Sequence, residues 1–234
     1  MMSEKITTID SMGYGPSVAE RNKVLRNTYW LLSLSMIPTI LGAWVGVATG
    51  VGAAMATMSP WIGLIIFMAG AFGFMFAIEK FKDSAAGVPI LLGFTFFMGL
   101  MLSRLIGIVL GFNNGASLIM TAFAGTGGIF LGMATLSTVI KRDLSSMGKF
   151  LYIGMVMVLV AAIANIFFQS TALMIALSVL VIGISSAFIL YDLKRVKDGE
   201  ETNYITATLG VYISLYNIFS NLLALLGIFG GERD

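Results

Sequence analysis

Residues 182–221 read IGISSAFILYDLKRVKDGEETNYITATLGVYISLYNIFSN, which is an apolar run, a short charged hinge and a second apolar run. The first run ends at Tyr191-Asp192, and the second is interrupted by amide and hydroxyl side chains. Polar side chains inside a bilayer face neighbouring helices rather than lipid, because hydrocarbon offers them no hydrogen bonds. The pattern therefore predicts two membrane-crossing helices, of which the second lies inside a helix bundle.

The whole chain has the composition of a membrane protein. Of its 234 residues, 58% are hydrophobic and 11% are charged, whereas about 25% of a soluble domain is charged. Mean hydropathy is +0.94. The chain contains no cysteine and no histidine, which excludes disulfides, thiolate nucleophiles and the commonest general base and metal ligand. We therefore expect no enzyme activity, no catalytic residue, no cofactor, no metal centre and no nucleic-acid partner.

Seven apolar segments, each close to the roughly 20 residues that cross a bilayer as a helix, predict the fold class. The chain is expected to be an all-α polytopic membrane protein with seven transmembrane helices, the seventh central and enclosed by the first six. The segments are 27–49, 60–78, 88–111, 116–140, 150–168, 171–191 and 204–229. Residues 1–22 are expected to form a flexible cytoplasmic N-terminal tail, and 23–234 the transmembrane domain.

Basic residues are distributed unevenly between the two ends of the predicted bundle. Twelve of the 14 lysines and arginines lie before the first segment or around the connections that follow the second, fourth and sixth segments. Basic connections stay in the cytoplasm during membrane insertion. The distribution therefore predicts a cytoplasmic N-terminus and, after seven crossings, a C-terminus on the other side.

Asp192 is a candidate ion- or proton-linked residue at the end of the sixth segment. The basic residues that follow it suit a last helical turn, and Gly199 is a natural stop. The helix is therefore predicted to continue to Asp198, with Thr202 capping the next helix. Asp192 would then lie about 9 Å inside the helix end. The sequence leaves open whether its carboxylate is desolvated in the bundle or faces headgroup water.

Arg104 is a second ionisable residue within the apolar segments, in the outer half of the third. One interpretation is a counter-ion for a buried carboxylate or a contact to a ligand. The other is a side chain that extends to the outer headgroups. Both stay open, because no acidic residue lies at the same depth.

The seventh segment carries a stripe of polar or small residues at spacings of three and four, which places them on one helix face. Its members are Asn203, Thr206, Gly210, Ser214, Asn217 and Asn221, and we assign Tyr212 to the polar face as well. Such a face either lines a water path or forms hydrogen bonds to neighbouring helices, and the second use is commoner. We expect Asn217 to be a structural anchor with a partner on another helix.

Three stretches carry a family resemblance: KVLRNTYWLLSL at 23–34, ANIFFQ at 164–169 and GEETNYITATLGVYISLYNIFSNLLALLGIF at 199–229. Through them the chain resembles the Bax inhibitor-1 (transmembrane Bax inhibitor motif) family over nearly all its length. The resemblance implies a seven-helix fold with an enclosed seventh helix and a cytoplasmic N-terminus. For a bacterial member it also implies the inner membrane, with lipid around the bundle and a periplasmic C-terminus.

The resemblance implies two alternative functions. Some members are pH-sensitive calcium leak channels that use an aspartate pair from helices six and seven. Bacterial inner-membrane members instead bind the membrane-anchored AAA protease FtsH, modulate its proteolysis of membrane proteins and are themselves slow substrates. A transporter of a small solute along the polar face is a third hypothesis.

One position separates these alternatives. Asp192 matches the first aspartate of the channel pair, but Ser214 stands where the second would lie. One carboxylate and one hydroxyl hold a divalent cation less well than two carboxylates. The sequence therefore favours the FtsH modulator over the calcium leak, and any calcium binding is expected to be of low affinity.

Overall fold

The computed structural model of the protein describes residues 16–232, and helices make up most of this range. In chain order they are α1 (Val18–Ala48), α2 (Val51–Thr57), α3 (Pro60–Phe81), α4 (Gly87–Leu110), α5 (Gly115–Val139), α6 (Met147–Phe168), α7 (Thr171–Asp198) and α8 (Tyr204–Gly230). All except α2 are long and apolar enough to cross a membrane. The prediction of an all-α protein with seven spans is confirmed, and the predicted seventh helix is α8.

Helix α1 begins earlier than the first apolar segment. The Ser17 side chain accepts a hydrogen bond from the Glu20 backbone N–H at 3.3 Å, and the Glu20 carboxylate accepts one from the Ser17 N–H at 2.7 Å. This reciprocal capping satisfies two N–H groups that a helix start leaves unpaired. Residues 18–22, assigned to the tail from sequence, therefore form the first turns of α1. Residues 1–15 of the predicted tail lie outside the described residues.

The connection between the first two spans contains the short helix α2, which hydropathy did not reveal. Gly50, with φ of +76°, turns the chain in the left-handed region that glycine adopts without strain. Helix α2 then lies against α4, where a Cβ added to Gly52 would be 2.9 Å from the Ser103 Oγ. At seven residues α2 is too short to span a bilayer.

Helix α7 continues past Asp192 to Asp198, as predicted. Gly199 ends it with φ of +86°, and the Gly199 N–H donates to the Val196 carbonyl at 3.2 Å. The predicted cap of α8 was wrong, because Asn203 rather than Thr202 occupies that position. The Asn203 side-chain oxygen accepts from the N–H groups of Ile205 and Thr206 at 2.8 and 3.2 Å.

The same Asn203 also holds a neighbouring loop, which explains why it takes the capping position. Its side-chain nitrogen donates to the Lys82 carbonyl at 3.2 Å and to the Asp83 carboxylate at 2.8 Å. A carboxamide has both donors and acceptors, whereas a threonine hydroxyl has one proton to give. Asn203 therefore caps α8 and joins its start to the α3–α4 connection.

Glycines bring α1 and α4 into close contact. A Cβ added to Gly99 of α4 would overlap the Thr39 carbonyl of α1, and one added to Gly42 of α1 would overlap the Phe96 carbonyl of α4. Small residues allow helix backbones in a membrane to approach this closely, where dispersion contacts replace the missing hydrophobic drive. The α1–α4 pair is therefore the most tightly fitted contact of the bundle.

Helix α8 packs against α1, α3, α4, α5 and α7. No residue between 204 and 227 is classed as exposed. The core beside it includes Leu31 of α1, Phe94 of α4 and Ile189 of α7. Helix α6 packs against α7. A central α8 agrees with these contacts, while its enclosure by all six other spans stays a prediction.

The starts of α1 and α8 and the ends of α3, α5 and α7 meet at one end of the bundle, which we call the basic end. Arg21 Nη1 donates to the Lys197 carbonyl at 3.3 Å, and Lys197 Nζ donates to the Thr138 carbonyl. At the opposite end, Asn114 Nδ2 donates to the Gly230 carbonyl at 2.6 Å. The structure thus gathers the predicted basic side at one end, and its cytoplasmic orientation stays a prediction.

Candidate functional site

A cavity of about 340 Å³ lies between α3, α6, α7 and α8, near the basic end. Most of its wall is apolar, and its polar groups come from α7, α8 and the hinge between them. The lining residues are Met75, Tyr152, Met155, Phe188, Asp192, Arg195, Glu201, Thr206, Ala207, Leu209, Gly210, Ile213, Ser214 and Asn217. The structure therefore brings Asp192 together with Thr206, Gly210, Ser214 and Asn217 of the polar face of α8.

Asp192 reaches the backbone of α8 because Gly210 has no side chain. A Cβ added to Gly210 would be 2.6 Å from the Asp192 Oδ2 atom, inside van der Waals contact. Asp192 is half-buried, and no ion pair or hydrogen bond involves its carboxylate among the described residues. The interpretation of Asp192 as a carboxylate inside the bundle, rather than one facing headgroup water, is thereby favoured.

The mouth of the cavity carries mixed charge. Arg195, one turn beyond Asp192, places its Nε atom 3.7 Å from a Glu200 carboxylate oxygen and its Nη2 atom 3.8 Å from one of Glu201. Its guanidinium also lies 5.6 Å from the centre of the Tyr191 ring. Arg195 is thus already engaged by two carboxylates of the hinge, and the cavity wall as a whole is net acidic.

Lys194, the basic residue just before Arg195, has a different partner. It is buried and forms an ion pair with Asp198, one helical turn further along α7. Each residue of a helix is rotated about 100° from the one before it. Lys194, two positions after Asp192, therefore points to the opposite side of α7, whereas Arg195, three positions after it, lies on the same side.

The hydroxyls of α8 differ in how they are satisfied. Ser214 Oγ donates to the Gly210 carbonyl at 3.1 Å, a bond within its own helix. Thr206 Oγ1 is buried and has no hydrogen-bond partner among the described residues. A buried polar group without a partner costs free energy and calls for a specific explanation. Thr206 therefore places a hydroxyl in the cavity wall that is not already bonded to another described residue.

Asn217 is the deepest polar residue of the cavity, about 20 Å along α8 from Tyr204. Its backbone carbonyl accepts hydrogen bonds from Asn221 Nδ2 at 2.8 Å and from Ser220 Oγ at 3.2 Å. The partner on another helix that we expected for its carboxamide is absent within residues 16–232. The side chain faces the cavity instead, which does not support the anchor interpretation.

Tyr212 does not share the polar face to which we assigned it. Its hydroxyl lies 2.8 Å from Thr39 Oγ1 of α1 and donates to the Thr95 carbonyl of α4 at 3.4 Å. Residues two apart on a helix point about 200° apart, so Tyr212 faces away from Gly210 and Ser214. Its role is to join α8 to α1 and α4.

Arg104 lies far from the cavity, near the opposite end of α4. Its side chain is exposed, and no ion pair or hydrogen bond involves it in the part of the chain that the structure describes. Long basic side chains at such a position extend to the headgroups. The structure favours that interpretation over a counter-ion for Asp192.

Sequence reasoning missed the aromatic part of the site. The rings of Tyr152 on α6 and Phe188 on α7 meet at 5.1 Å between centroids and an angle of 71°. Phe188 could have been found, because it precedes Asp192 by four residues and so shares its helix face. Tyr152 could not, since nothing in the sequence shows how α6 docks on α7.

The donor set suits a divalent cation poorly. No group of three or more acidic side chains able to hold a metal ion lies within residues 16–232. Calcium takes six to eight oxygen ligands, whereas the walls beside Asp192 are mainly methionine, aromatic and aliphatic side chains.

A wider cleft of about 650 Å³ lies at the basic end, between the starts of α1 and α8. Charged side chains of both signs line it, among them Glu20, Arg21, Lys23 and Glu201. Neither Asp192 of α7 nor any residue of the polar face of α8 lines this cleft. The smaller cavity is therefore the candidate site.

Comparisons with known proteins agree over the whole length of the fold. The profile of a family described as "Inhibitor of apoptosis-promoting Bax1" matches residues 21–231. The chain is 37% identical over 218 residues to an Escherichia coli protein named "Modulator of FtsH protease YccA", covering 93% of this chain and 94% of that one.

Two further relatives have names that describe no activity. An uncharacterised protein of Neisseria meningitidis is 36% identical over 223 residues, which is 95% of this chain and 98% of the relative. An uncharacterised membrane protein of Vibrio cholerae is 37% identical over 209 residues, which is 89% of this chain and 91% of the relative. Each similarity is too long to arise from a single shared span.

Proposed function

Because the chain belongs to the Bax inhibitor-1 family and is a multi-pass membrane protein, we propose that it is a non-enzymatic modulator of an FtsH-type protease in a bacterial inner membrane. The observation that carries the proposal is the 37% identity to the modulator YccA over 93% of this chain. Similarity of that extent covers all seven spans and the cavity, so a shared function fits better than a shared scaffold alone.

The site supports modulation over ion leakage. Asp192 is accompanied by Ser214 rather than by a second carboxylate, and Arg195 at the mouth is paired with Glu200 and Glu201. The chain has neither histidine, the commonest general base, nor cysteine. Modulation of a protease requires binding and no catalysis by the modulator.

The packing of α1 offers a physical reason for slow degradation. A processive protease that engages the N-terminal tail must first pull α1 from the bundle. That helix is held by the Gly42 and Gly99 contacts with α4 and by the hydrogen bond between Thr39 and Tyr212 of α8. Removing α1 therefore breaks the closely packed α1–α4 contact at the first step of unfolding. We expect that step to be slow, so that the protease stays bound to this chain for longer.

Co-purification tests the proposal. The full chain carrying a C-terminal tag is solubilised from native membranes in mild detergent, with another seven-span protein of equal abundance as the control. We expect the FtsH-type protease to be retained by this chain and not by the control. Absence of the protease, both with and without cross-linking before solubilisation, would contradict the proposal.

A calcium leak is the second candidate, favoured by one observation. The cavity places Asp192 and Asn217 along a path that reaches about 20 Å from the start of α8. Calcium flux into liposomes containing the pure protein distinguishes the two functions. We expect flux no greater than in liposomes with the Asp192→Asn variant, and a larger flux that this variant loses would favour the channel.

A further inference from the structure

The cavity beside Asp192 has α3 on one side and α6 on the other, and these two helices pack on different neighbours. Helix α3 packs on α4 while α6 packs on α7, and their aromatic rings meet at the end opposite the basic end, where Trp61 and Phe167 are 5.0 Å apart. Nearer the basic end, Met75 of α3 and Met155 of α6 face the cavity from its two sides. Tyr152 at the rim is 61% exposed. A molecule dissolved in the bilayer can therefore enter between α3 and α6.

The charges of the cavity select for a cation. Two carboxylates, Asp192 and Glu201, and one guanidinium, Arg195, contribute to the wall. Arg195 is already in contact with Glu201 and Glu200, which leaves the negative charge of Asp192 without an ion pair among the described residues. The Thr206 hydroxyl, in the wall of the same cavity, is buried without a partner among the described residues, and its oxygen can accept a hydrogen bond.

The remaining walls select for an organic cation over an inorganic one. The rings of Tyr152 and Phe188 and the flexible side chains of Met75 and Met155 line the same cavity as the carboxylate. Aromatic rings attract an alkylated cation electrostatically, and methionine adapts to the shape of an apolar body. A hydrated calcium ion gains nothing from such walls, because it needs oxygen ligands.

The size of the cavity limits the ligand. A volume of about 340 Å³ is near the lower end of small-molecule pockets, which span roughly 300–1,000 Å³. One cationic group with a compact apolar body fits, whereas a whole two-chain lipid does not. The acyl chains of a lipid would remain outside, in the gap between α3 and α6.

We propose that this cavity binds an organic cation carried on an apolar body, which enters from the bilayer between α3 and α6 and places its charge against Asp192. Two sources carry this chemistry: a soluble lipophilic cation, and the ammonium headgroup of phosphatidylethanolamine. The ring of Tyr152 covers the charge at the rim, and an ammonium N–H reaches the Thr206 oxygen.

The first arm of the test measures equilibrium binding of radiolabelled tetraphenylphosphonium to the full chain in detergent. Asp192→Asn, which keeps the shape of the side chain, is expected to weaken binding at least tenfold. The matched control is Asp143→Asn, at an exposed carboxylate in the α5–α6 connection, which is expected to change nothing. Tyr152→Leu is expected to weaken binding about threefold or more, and Tyr152→Phe to restore it.

The second arm distinguishes the sources. Thermal unfolding is measured in nanodiscs of pure phosphatidylglycerol and in nanodiscs with added phosphatidylethanolamine. A lipid occupant raises the midpoint of the wild type but not of folded Asp192→Asn, and it reduces binding of the probe. If the natural ligand is instead a soluble cation, the protein should bind the probe equally well in both kinds of nanodisc. Either result supports the proposal.

Two results would overturn it. One is an Asp192→Asn variant that unfolds at the wild-type temperature and binds the probe as tightly as the wild type, with no stabilisation by phosphatidylethanolamine. The other is displacement of the probe by micromolar calcium but not by equal ionic strength of sodium, which would make the cavity an inorganic cation site.

Discussion

Gly210 of α8 and Asp192 of α7 lie against each other at the cavity. The carboxylate lies against the α8 backbone only because residue 210 lacks a Cβ, which would be 2.6 Å from Oδ2. Gly183, on α7 itself, is a natural comparison, since a Cβ there would have no heavy atom within 4 Å. Replacing Gly183 by alanine measures only the effect of glycine on helix stability. Replacing Gly210 measures the same effect together with the loss of space for the Asp192 carboxylate.

The first prediction uses this pair. Gly183→Ala is expected to be neutral or to stabilise by up to about 1 kcal/mol, because alanine favours helix. Gly210→Ala forces the Asp192 carboxylate to move and is expected to be less stable than Gly183→Ala by about 1–3 kcal/mol. Thermal unfolding in detergent provides the measurement. Equal midpoints for the two variants would mean that Asp192 does not rest on Gly210.

The second prediction concerns Ser214. Its buried side chain faces the Asp192 cavity, so Ser214→Asp would place a second carboxylate there. We expect this variant to create or raise calcium flux in liposomes, since paired carboxylates hold a divalent cation better than one. The control Ser214→Asn has the same size without the charge and should not raise flux.

Adding Asp192→Asn to Ser214→Asp should return the flux to the parent level. If the parent protein already leaks calcium strongly and loses the leak with Asp192→Asn alone, Ser214 is no impediment and the family's channel function applies here.

At the scale of elements, the start of α1 divides the tail from the bundle. The Ser17–Glu20 capping box fixes this boundary, and a lost N-cap costs about 1 kcal/mol. Deleting residues 2–15 is therefore expected to leave the unfolding temperature unchanged, whereas deleting 2–20 also removes the cap and lowers it.

The same deletions test how the protein is degraded. The sequence predicts a flexible N-terminal tail, and a processive protease needs such a segment to engage. Removal of residues 2–15 should therefore lengthen the half-life in cells that contain the FtsH-type protease. The control is a strain without that protease, in which both chains should be equally long-lived. An unchanged half-life in the first strain would show that degradation does not start at the tail.

Local patterns predicted the elements that depend on nearby residues. Hydropathy located the seven spans, the basic residues and Gly199 predicted that α7 reaches Asp198, and spacing placed Thr206, Gly210 and Ser214 on the face toward Asp192. Each of these features is determined by the residues within a single helix and at its two ends. They account for the fold class and, with Asp192 and Asn217, for five of the 14 residues that line the cavity.

What the sequence did not provide depends on contacts between distant elements. Asn203 displaces Thr202 as a cap because it also binds the connection after α3. Tyr152 joins the cavity only through the docking of α6. Helix α2 is apolar but only seven residues long, too short to be recognised as a span, and it follows a turn at Gly50. Tyr212 is different, since its spacing from Gly210 already excluded it from the polar face.

For the whole molecule, the basic end gives a topology that can be tested. We predict a cytoplasmic N-terminus and a periplasmic C-terminus, because 12 of the 14 basic residues precede the first span or lie around the connections after the second, fourth and sixth spans. Alkaline phosphatase, which is active only outside the cytoplasm, should be active when fused after residue 232. The control fusion at residue 200, after six spans, should be inactive. The reverse pattern would contradict the predicted orientation.

The central claim is that the folded bundle slows an FtsH-type protease through binding. The most direct measurement is the rate at which that protease, reconstituted in liposomes, degrades a membrane substrate as this protein is added. We predict that the rate falls as the protein approaches the concentration of the protease, while cleavage of a short soluble peptide continues. A constant rate with folded protein in excess would contradict the proposed function.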